Sequence, residues 1–173
     1  AKIKRVEARS PVKAHKATQR EILDEKETAA EPMGSSLHGI TLGRVELECA
    51  TDAGCAHETL RQVLESSLTH SADRGPFRRL EGSGIYVRSK DGWTAMTGEH
   101  VEAVRRHLTG QLQNEFRRWQ NEHSAHLAEE GFSMNFTKNL HVIMADSLGK
   151  GGSILTALRQ IIQDRAPGLN SES

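Results

Sequence analysis

The sequence predicts an α+β fold: a single compact domain with a small mixed sheet, a β-hairpin and one long amphipathic helix, preceded by a disordered basic arm. Apolar residues recur at helical spacing from Val101 to Leu127. Two strand-like segments flank Lys90-Asp91-Gly92, which is a turn signal. The first 36 residues carry few large apolar side chains, so they bury too little surface to offset their ordering entropy.

Residues 1–36 are therefore predicted to form an extended or disordered arm, within which Thr18 to Ala30 is rich enough in Glu, Lys and Ala to form a short helix. Residues 1–20 hold seven Lys or Arg against one acid, a charge of +6, and residues 21–32 hold five acids against one Lys, a charge of −4. Such blocks suggest contact with an acidic partner, or folding back on the neighbouring block. The basic residues are Lys2, Lys4, Arg5, Arg9, Lys13, Lys16 and Arg20.

The α+β domain is predicted to span residues 37–168. It begins with a strand near Leu37, because the apolar residues up to Leu47 show a broken alternation. A helix follows from Ala56 to Thr69, with one apolar face. After a polar segment around Arg78 and Arg79, the hairpin pairs residues 85–87 with residues 93–96.

The long helix is predicted from Thr97, a suitable N-cap, to about Glu130, and Gly131 is a stop signal. Gly110 interrupts this helix at a cost of about 1 kcal/mol relative to Ala. The remaining elements are a buried strand at residues 140–145, a helix at residues 153–164 that ends before Pro167, and a flexible tail at residues 169–173.

Cysteine and histidine residues do not form a recognisable metal site in the sequence. Cys49, Cys55 and His57 are spaced more loosely than zinc ligands, and His70 lies at the far end of the same predicted helix as His57. We expect buried or half-buried free thiols. His123 and His126 share a helix, but their order matches neither the zincin motif nor its inverted form, and His123 is expected to be a hydrogen-bonded core or interface residue. No metal and no cofactor are expected.

A glycine-rich loop connects the last predicted strand and helix. Met144 stands where a nucleotide-binding loop has its first Gly, so NTP binding is disfavoured, and Ser153 as an N-cap explains the segment equally well. A weaker anion site remains open at Lys150, Gly151, Gly152 and Ser153.

The sequence carries no catalytic motif, so we expect a protein that is not an enzyme. Basic residues are the stronger indication of function. Arg106 and Arg117 are eleven residues apart, which places them on nearly the same side of the long helix, opposite its apolar stripe. The predicted contacts to a nucleic acid or another acidic partner are the seven basic residues of the arm together with Arg78, Arg79, Arg106 and Arg117.

The sequence thus favours a cytoplasmic nucleic-acid-associated or assembly protein, whose partners are RNA or DNA and a second copy or another protein, with no membrane contact. Plasmid, phage and viral structural proteins are often organised in this way. Two alternatives stay open. One is a protein–protein adaptor that docks through the acidic segment from Glu21 to Glu31. The other is a small enzyme or phosphate-binding protein that uses the loop from Gly149 to Ser153.

Overall fold

A computed structural model describes residues 18–71, 73–80, 82, 84–147 and 152–168. The described part is an α+β domain with seven α-helices and three strands. In chain order these are α1 (Gln19–Lys26), α2 (Met33–His38), α3 (Arg44–Ala53), α4 (His57–His70), β1 (Phe77–Leu80), β2 (Gly84–Ser89), β3 (Gly92–Ala95), α5 (Gly98–Glu122), a 3₁₀ turn (Ser124–His126), α6 (Glu130–Ser147) and α7 (Gly152–Arg165).

The three strands form an antiparallel sheet in the order β1-β2-β3. The predicted hairpin is confirmed: Ser89 pairs with Gly92, and Gly92 has a φ of 115°, a conformation that favours glycine. The described residues also include an isolated parallel bridge between Arg79 and Gly168, through which the end of the domain contacts the outer edge of β1.

One face of the sheet packs on the main hydrophobic core. Phe77 of β1 and Ile85 and Val87 of β2 join this core, as their positions on one side of the pleat require. The helices α4, α5 and α7 supply most of the remaining core residues, which include Leu60, Leu64, Leu68, Val101, Val104, Leu108, Leu112, Leu158 and Ile162. The helices α4, α5 and α7 are therefore confirmed, as is Thr97 as the N-cap residue of α5. However, α5 ends at Glu122 and not near Glu130, because a 3₁₀ turn separates it from α6.

Two predicted strands are helices in the structure. The apolar residues between Leu37 and Leu47 belong to the ends of α2 and α3 and to the loop that joins them. The run Leu140 to Ala145 lies inside α6, and Gly131 is near the start of that helix rather than a stop signal. Short apolar runs fit a strand and a buried helix equally well, so packing against α5 and α3 decides the outcome.

The arm predicted at residues 1–36 requires correction from residue 18 onward. Thr18 caps α1 through a hydrogen bond with the Glu21 backbone N–H, and the short helix predicted in this segment is confirmed. Leu23 is fully buried. The low apolar content was a poor guide because Leu23 and Ala30 pack on the sheet and Glu27 pairs with Arg78, and sequence composition shows neither contact. Residues 1–17 and the predicted tail at residues 169–173 lie outside the described residues.

Candidate nucleic-acid interface

The second face of the sheet lies beneath α1. Because side chains alternate along a strand, Tyr86 and Arg88 of β2 point away from the main core, and Trp93 of β3 pairs with Arg88 on this same face. Leu80 and Trp93 pack with Leu23 in a second, smaller hydrophobic cluster. We call the side chains of Arg78, Tyr86, Arg88 and Trp93 the covered sheet face.

Arg78 was predicted to contact a nucleic acid, but the structure buries it, with 2% of its side chain exposed. Its Nε atom forms an ion pair with the Glu27 carboxylate at 3.0 Å. Its Nη1 atom donates to the backbone carbonyls of Gly75 and Phe77, and its Nη2 atom donates to the carbonyl of Asp73. As long as α1 is in place, Arg78 is therefore not available to an outside partner.

Trp93 is close to both guanidinium groups of the covered sheet face. The Cζ atom of Arg78 is 5.7 Å from the centroid of the indole, and the Cζ atom of Arg88 is 5.9 Å from it. Both distances are within the range of cation–π attraction. Of these three residues, the sequence predicted a role for Arg78 alone. The two-residue alternation of the strands was the signal that could have grouped them on one face.

Arg20 is the predicted contact of the arm that the structure describes. It is exposed, lies 3.8 Å from Asp24 in a surface ion pair, and donates from Nη2 to the Asp91 carbonyl at 3.1 Å. This places the start of α1 against the turn of the hairpin. The other predicted contacts of the arm lie outside the described residues: Lys2, Lys4, Arg5, Arg9, Lys13 and Lys16.

The remaining predicted basic contacts are exposed but lie on separate elements. Arg79 is on β1, and its backbone N–H donates to the Pro167 carbonyl at 2.8 Å. Arg106 and Arg117 are both exposed on α5, about three turns or 16 Å apart. They remain candidates for surface contacts but are not part of the covered sheet face.

The glycine-rich segment is only partly described. Gly149, Lys150 and Gly151 lie outside the described residues, and α7 begins at Gly152, so the predicted anion site there stays a prediction.

Cys49 and Cys55 are exposed free thiols, whereas the sequence suggested buried or half-buried ones. His57 begins α4 and His70 ends it, so the length of the helix separates them. Within the described ranges, no group of three or more His, Cys, Asp or Glu side chains is placed to hold a metal ion.

An aromatic cluster joins the end of α5 to the start of α6. His123 donates from Nδ1 to the Trp119 carbonyl at 2.8 Å and stacks against Phe132, which accounts for the hydrogen bond expected of it. Trp119 also stacks on Phe132, Phe116 and Phe136. The sequence did not predict this cluster because Gly131 was taken to end the preceding helix, which hid the helical spacing of Phe132 and Phe136.

Ion pairs shift several pKa values on the surface of the helices. Hydrogen bonds from Arg105 lower the pKa of the Glu102 carboxyl, and a hydrogen bond from Arg44 lowers the pKa of Glu122. Arg44 also contacts Glu115 at 3.2 Å, which ties α3 to α5. These groups are paired with their neighbours in the fold, as expected for structural ion pairs.

Comparisons of the chain with protein-family models, with curated proteins and with solved structures gave no match. Among the helices of the described residues, none is both long enough and apolar enough to cross a membrane.

Proposed function

We propose that this protein is a non-enzymatic nucleic-acid-associated protein that presents a basic N-terminal segment to RNA or DNA. The observation that carries the proposal is the charge of residues 1–17, here called the basic segment: six Lys or Arg against the single acid Glu7. Cationic side chains at this density bind a phosphate backbone mainly by releasing condensed counterions, with little dependence on sequence.

The way in which α1 is held supports the proposal. The basic segment leads directly into α1, and α1 is fixed to the sheet by buried Leu23 and by the ion pair between Glu27 and Arg78. A nucleic acid bound by the segment would therefore be kept next to a folded surface. The segment lacks large aromatic residues, so its contribution is electrostatic rather than stacking.

The test is fluorescence anisotropy of labelled single-stranded and duplex oligonucleotides against the full chain, repeated over a salt series. If all six cations contact phosphates of a single strand, log Kd should change with log salt with a slope of about 4. Replacing all six with Gln should remove most of the affinity and most of the slope. Because α1 belongs to the fold, neutralising charges is preferable to removing residues 1–36, which would also unfold the α1 contact.

A matched pair of double variants separates the basic segment from the body. Lys13→Gln with Lys16→Gln should lower the slope by about 1.4, since two phosphate contacts are lost. Arg106→Gln with Arg117→Gln removes the same charge from the contacts predicted on α5, and if the basic segment carries the binding this pair should change Kd by less than about twofold. No binding by the full chain at low salt, or equal losses for the two double variants, would contradict the proposed role of the segment.

A second candidate function is assembly with another copy of the chain, and the composition of α6 favours it. Met134 is 71% exposed and Met144 is 40% exposed, whereas Lys138 is the one charged residue between Gly131 and Met144. Exposed apolar residues on a helix with few charges are typical of a contact surface. Light scattering of the full chain should then show a dimer or larger species, and Met134→Gln with Met144→Gln should shift it to monomer. A monomer at all concentrations would remove this candidate.

A further inference from the structure

The covered sheet face has the composition of a surface that binds single-stranded nucleic acid. Trp93 and Tyr86 lie on the same side of two neighbouring strands as diagonal neighbours, because Tyr86 pairs with Ala95 and Trp93 is two residues from Ala95. Aromatic side chains on the open face of an antiparallel sheet stack unpaired bases in many RNA-binding domains. The guanidinium groups of Arg78 and Arg88 lie 5.7 and 5.9 Å from the Trp93 ring centroid on this face and carry the charge that phosphates require.

The element that covers this face is acidic. The segment from Glu21 to Glu31, which contains most of α1, holds five acids against the single base Lys26. One of these acids, Glu27, places its carboxylate 3.0 Å from the Arg78 Nε atom, and the Glu27 backbone carbonyl lies 3.5 Å from Arg88 Nη1. An acidic helix thus occupies the position in which an anionic ligand would meet both arginines.

In the contact between α1 and the sheet, some hydrogen-bond donors have no partner in the described part of the chain. Trp93 Nε1 and Arg88 Nε are buried and have no hydrogen-bond partner among the described residues. Buried donors without partners cost free energy, and exposure to water or to a ligand would recover it. The helix itself has only eight residues, and Leu23 is its one fully buried side chain. Helices of this length are marginal by themselves, so docking must hold α1 in place.

We propose that α1 is a releasable acidic cover, and that the sheet face beneath it is a second binding site, specific for single-stranded nucleic acid. In the open form, Trp93 and Tyr86 stack on unpaired bases while Arg88 and the Nε atom of Arg78 contact phosphates. A duplex is excluded because its bases are paired and stacked on one another. The inference shares its ligand class with the proposed function, but it uses different residues.

The experiment uses the full chain with the six cations of the basic segment changed to Gln, so that binding at the sheet is measured alone. Trp119→Phe is added, which retains an aromatic ring in its cluster and leaves Trp93 as the single tryptophan of the two in the sequence. Labelled oligo-dT and oligo-U are the ligands, with a duplex of equal length for comparison. Glu27→Gln opens the cover, and Glu25→Gln, an exposed acid on the same helix, is the matched control.

Glu27→Gln should make Trp93 accessible to acrylamide and should strengthen binding of both single strands by about tenfold or more, because the open fraction sets the apparent affinity. Binding should quench Trp93 fluorescence. Glu25→Gln should change Kd by less than about twofold, since it alters charge but no contact with the sheet. Adding Trp93→Leu to Glu27→Gln should return the affinity to that of the closed chain, because Leu keeps the apolar volume but cannot stack in the same way.

Leu23→Ala serves as a second opening variant that leaves every charge unchanged. The proposal is overturned if Trp93 becomes accessible in either variant without a gain in single-strand affinity, or if the duplex gains as much as the single strands. It is also overturned if Trp93 stays protected in both variants, or if both lose their far-ultraviolet circular dichroism, because α1 would then be no releasable cover.

The two proposals can fail separately. If the unmodified chain does not depend on its basic segment but the opened variants bind single strands, the proposed function of the segment fails and the site under α1 stands. If the unmodified chain does depend on its basic segment but the opened variants do not bind single strands, the sheet site fails and the proposed function of the segment stands.

Discussion

The two faces of the sheet are held in different ways. On one face, Phe77, Ile85 and Val87 pack into a large apolar core built mainly from α4, α5 and α7. On the other face, α1 contributes the buried Leu23, and Glu27, the C-cap residue of α1, pairs with the buried Arg78. The first face is held by apolar contacts with many helices, whereas the second is held by one short helix and a small number of polar contacts.

This difference indicates that the α1 side of the sheet is less stable than the side that faces the large core. We expect contacts within the large core to be lost only when the whole domain unfolds, and we expect α1, which has few contacts with the sheet, to detach with the core intact. A substitution on the α1 side can therefore cost no more than the docking free energy of that helix. A substitution in the core has no such limit.

The largest expected effect comes from a pair of Leu→Ala variants. Leu108→Ala, at a fully buried site of α5, should lower the free energy of unfolding by about 3 kcal/mol. Leu23→Ala, at an equally buried site of α1, should cost roughly half of that, because the helix can detach instead of keeping the cavity. Urea denaturation followed by circular dichroism measures both. Equal losses would show that α1 unfolds together with the core.

Glu27→Gln should have the next largest effect. It leaves Arg78 without its charged partner, and we expect a loss of about 1.5 kcal/mol at most, the same limit as for Leu23→Ala, since detachment of α1 lets water reach the guanidinium. Hydrogen exchange sharpens the comparison: amides of α1 should exchange faster in this variant, while those of α5 and α7 should keep their relative protection. Uniformly faster exchange in all three helices would contradict a local opening.

Replacing two glycines with Ala should change the stability of the protein in opposite directions. Gly92 has a φ of 115°, and a Cβ atom there would lie 3.1 Å from Arg20 Nη2, so Gly92→Ala should destabilise the protein by about 1 to 2 kcal/mol. Gly110 lies inside α5 with open space around it, and Gly110→Ala should stabilise the protein by up to about 1 kcal/mol. Thermal unfolding of the two variants checks the signs. A stabilising Gly92→Ala would mean that the turn tolerates a side chain.

The smallest expected effect is on how the free energy of unfolding depends on pH in acid. The pKa of Glu102 is lowered in the fold by hydrogen bonds from Arg105, so this pair stabilises the protein above the ordinary carboxyl pKa of 4.5, and the stabilisation is lost as the pH falls through the folded value. Glu102→Gln should therefore lower the free energy of unfolding slightly at pH 7. Below pH 4.5, the free energy of unfolding of this variant should fall less steeply with pH than that of the unmodified protein. Urea unfolding at pH 7 and pH 3.5 tests this. An unchanged slope in the variant would assign the acid sensitivity to other carboxyls.

Part of the candidate interface could be predicted from the sequence and part could not. The charge of the basic segment and the exposure of Arg106 and Arg117 follow from composition and helical spacing. The burial of Arg78 could not be predicted, because it depends on Glu27, which is 51 residues earlier in the chain. Its sequence context, among other basic residues and two residues after Pro76, resembles a solvated surface.

The sequence by itself determined the hairpin and the helices α4, α5 and α7. The hairpin carries strand alternation around Gly92, and each of the three helices carries apolar residues at helical spacing. Only one local structure satisfies each of these patterns. Tertiary structure alone decided that α3 and α6 are helices and that α1 docks on the sheet. Their apolar residues are few or fall in short runs that fit more than one structure. Which structure forms is set by the surface available to pack against, and that surface is built by residues distant in the chain.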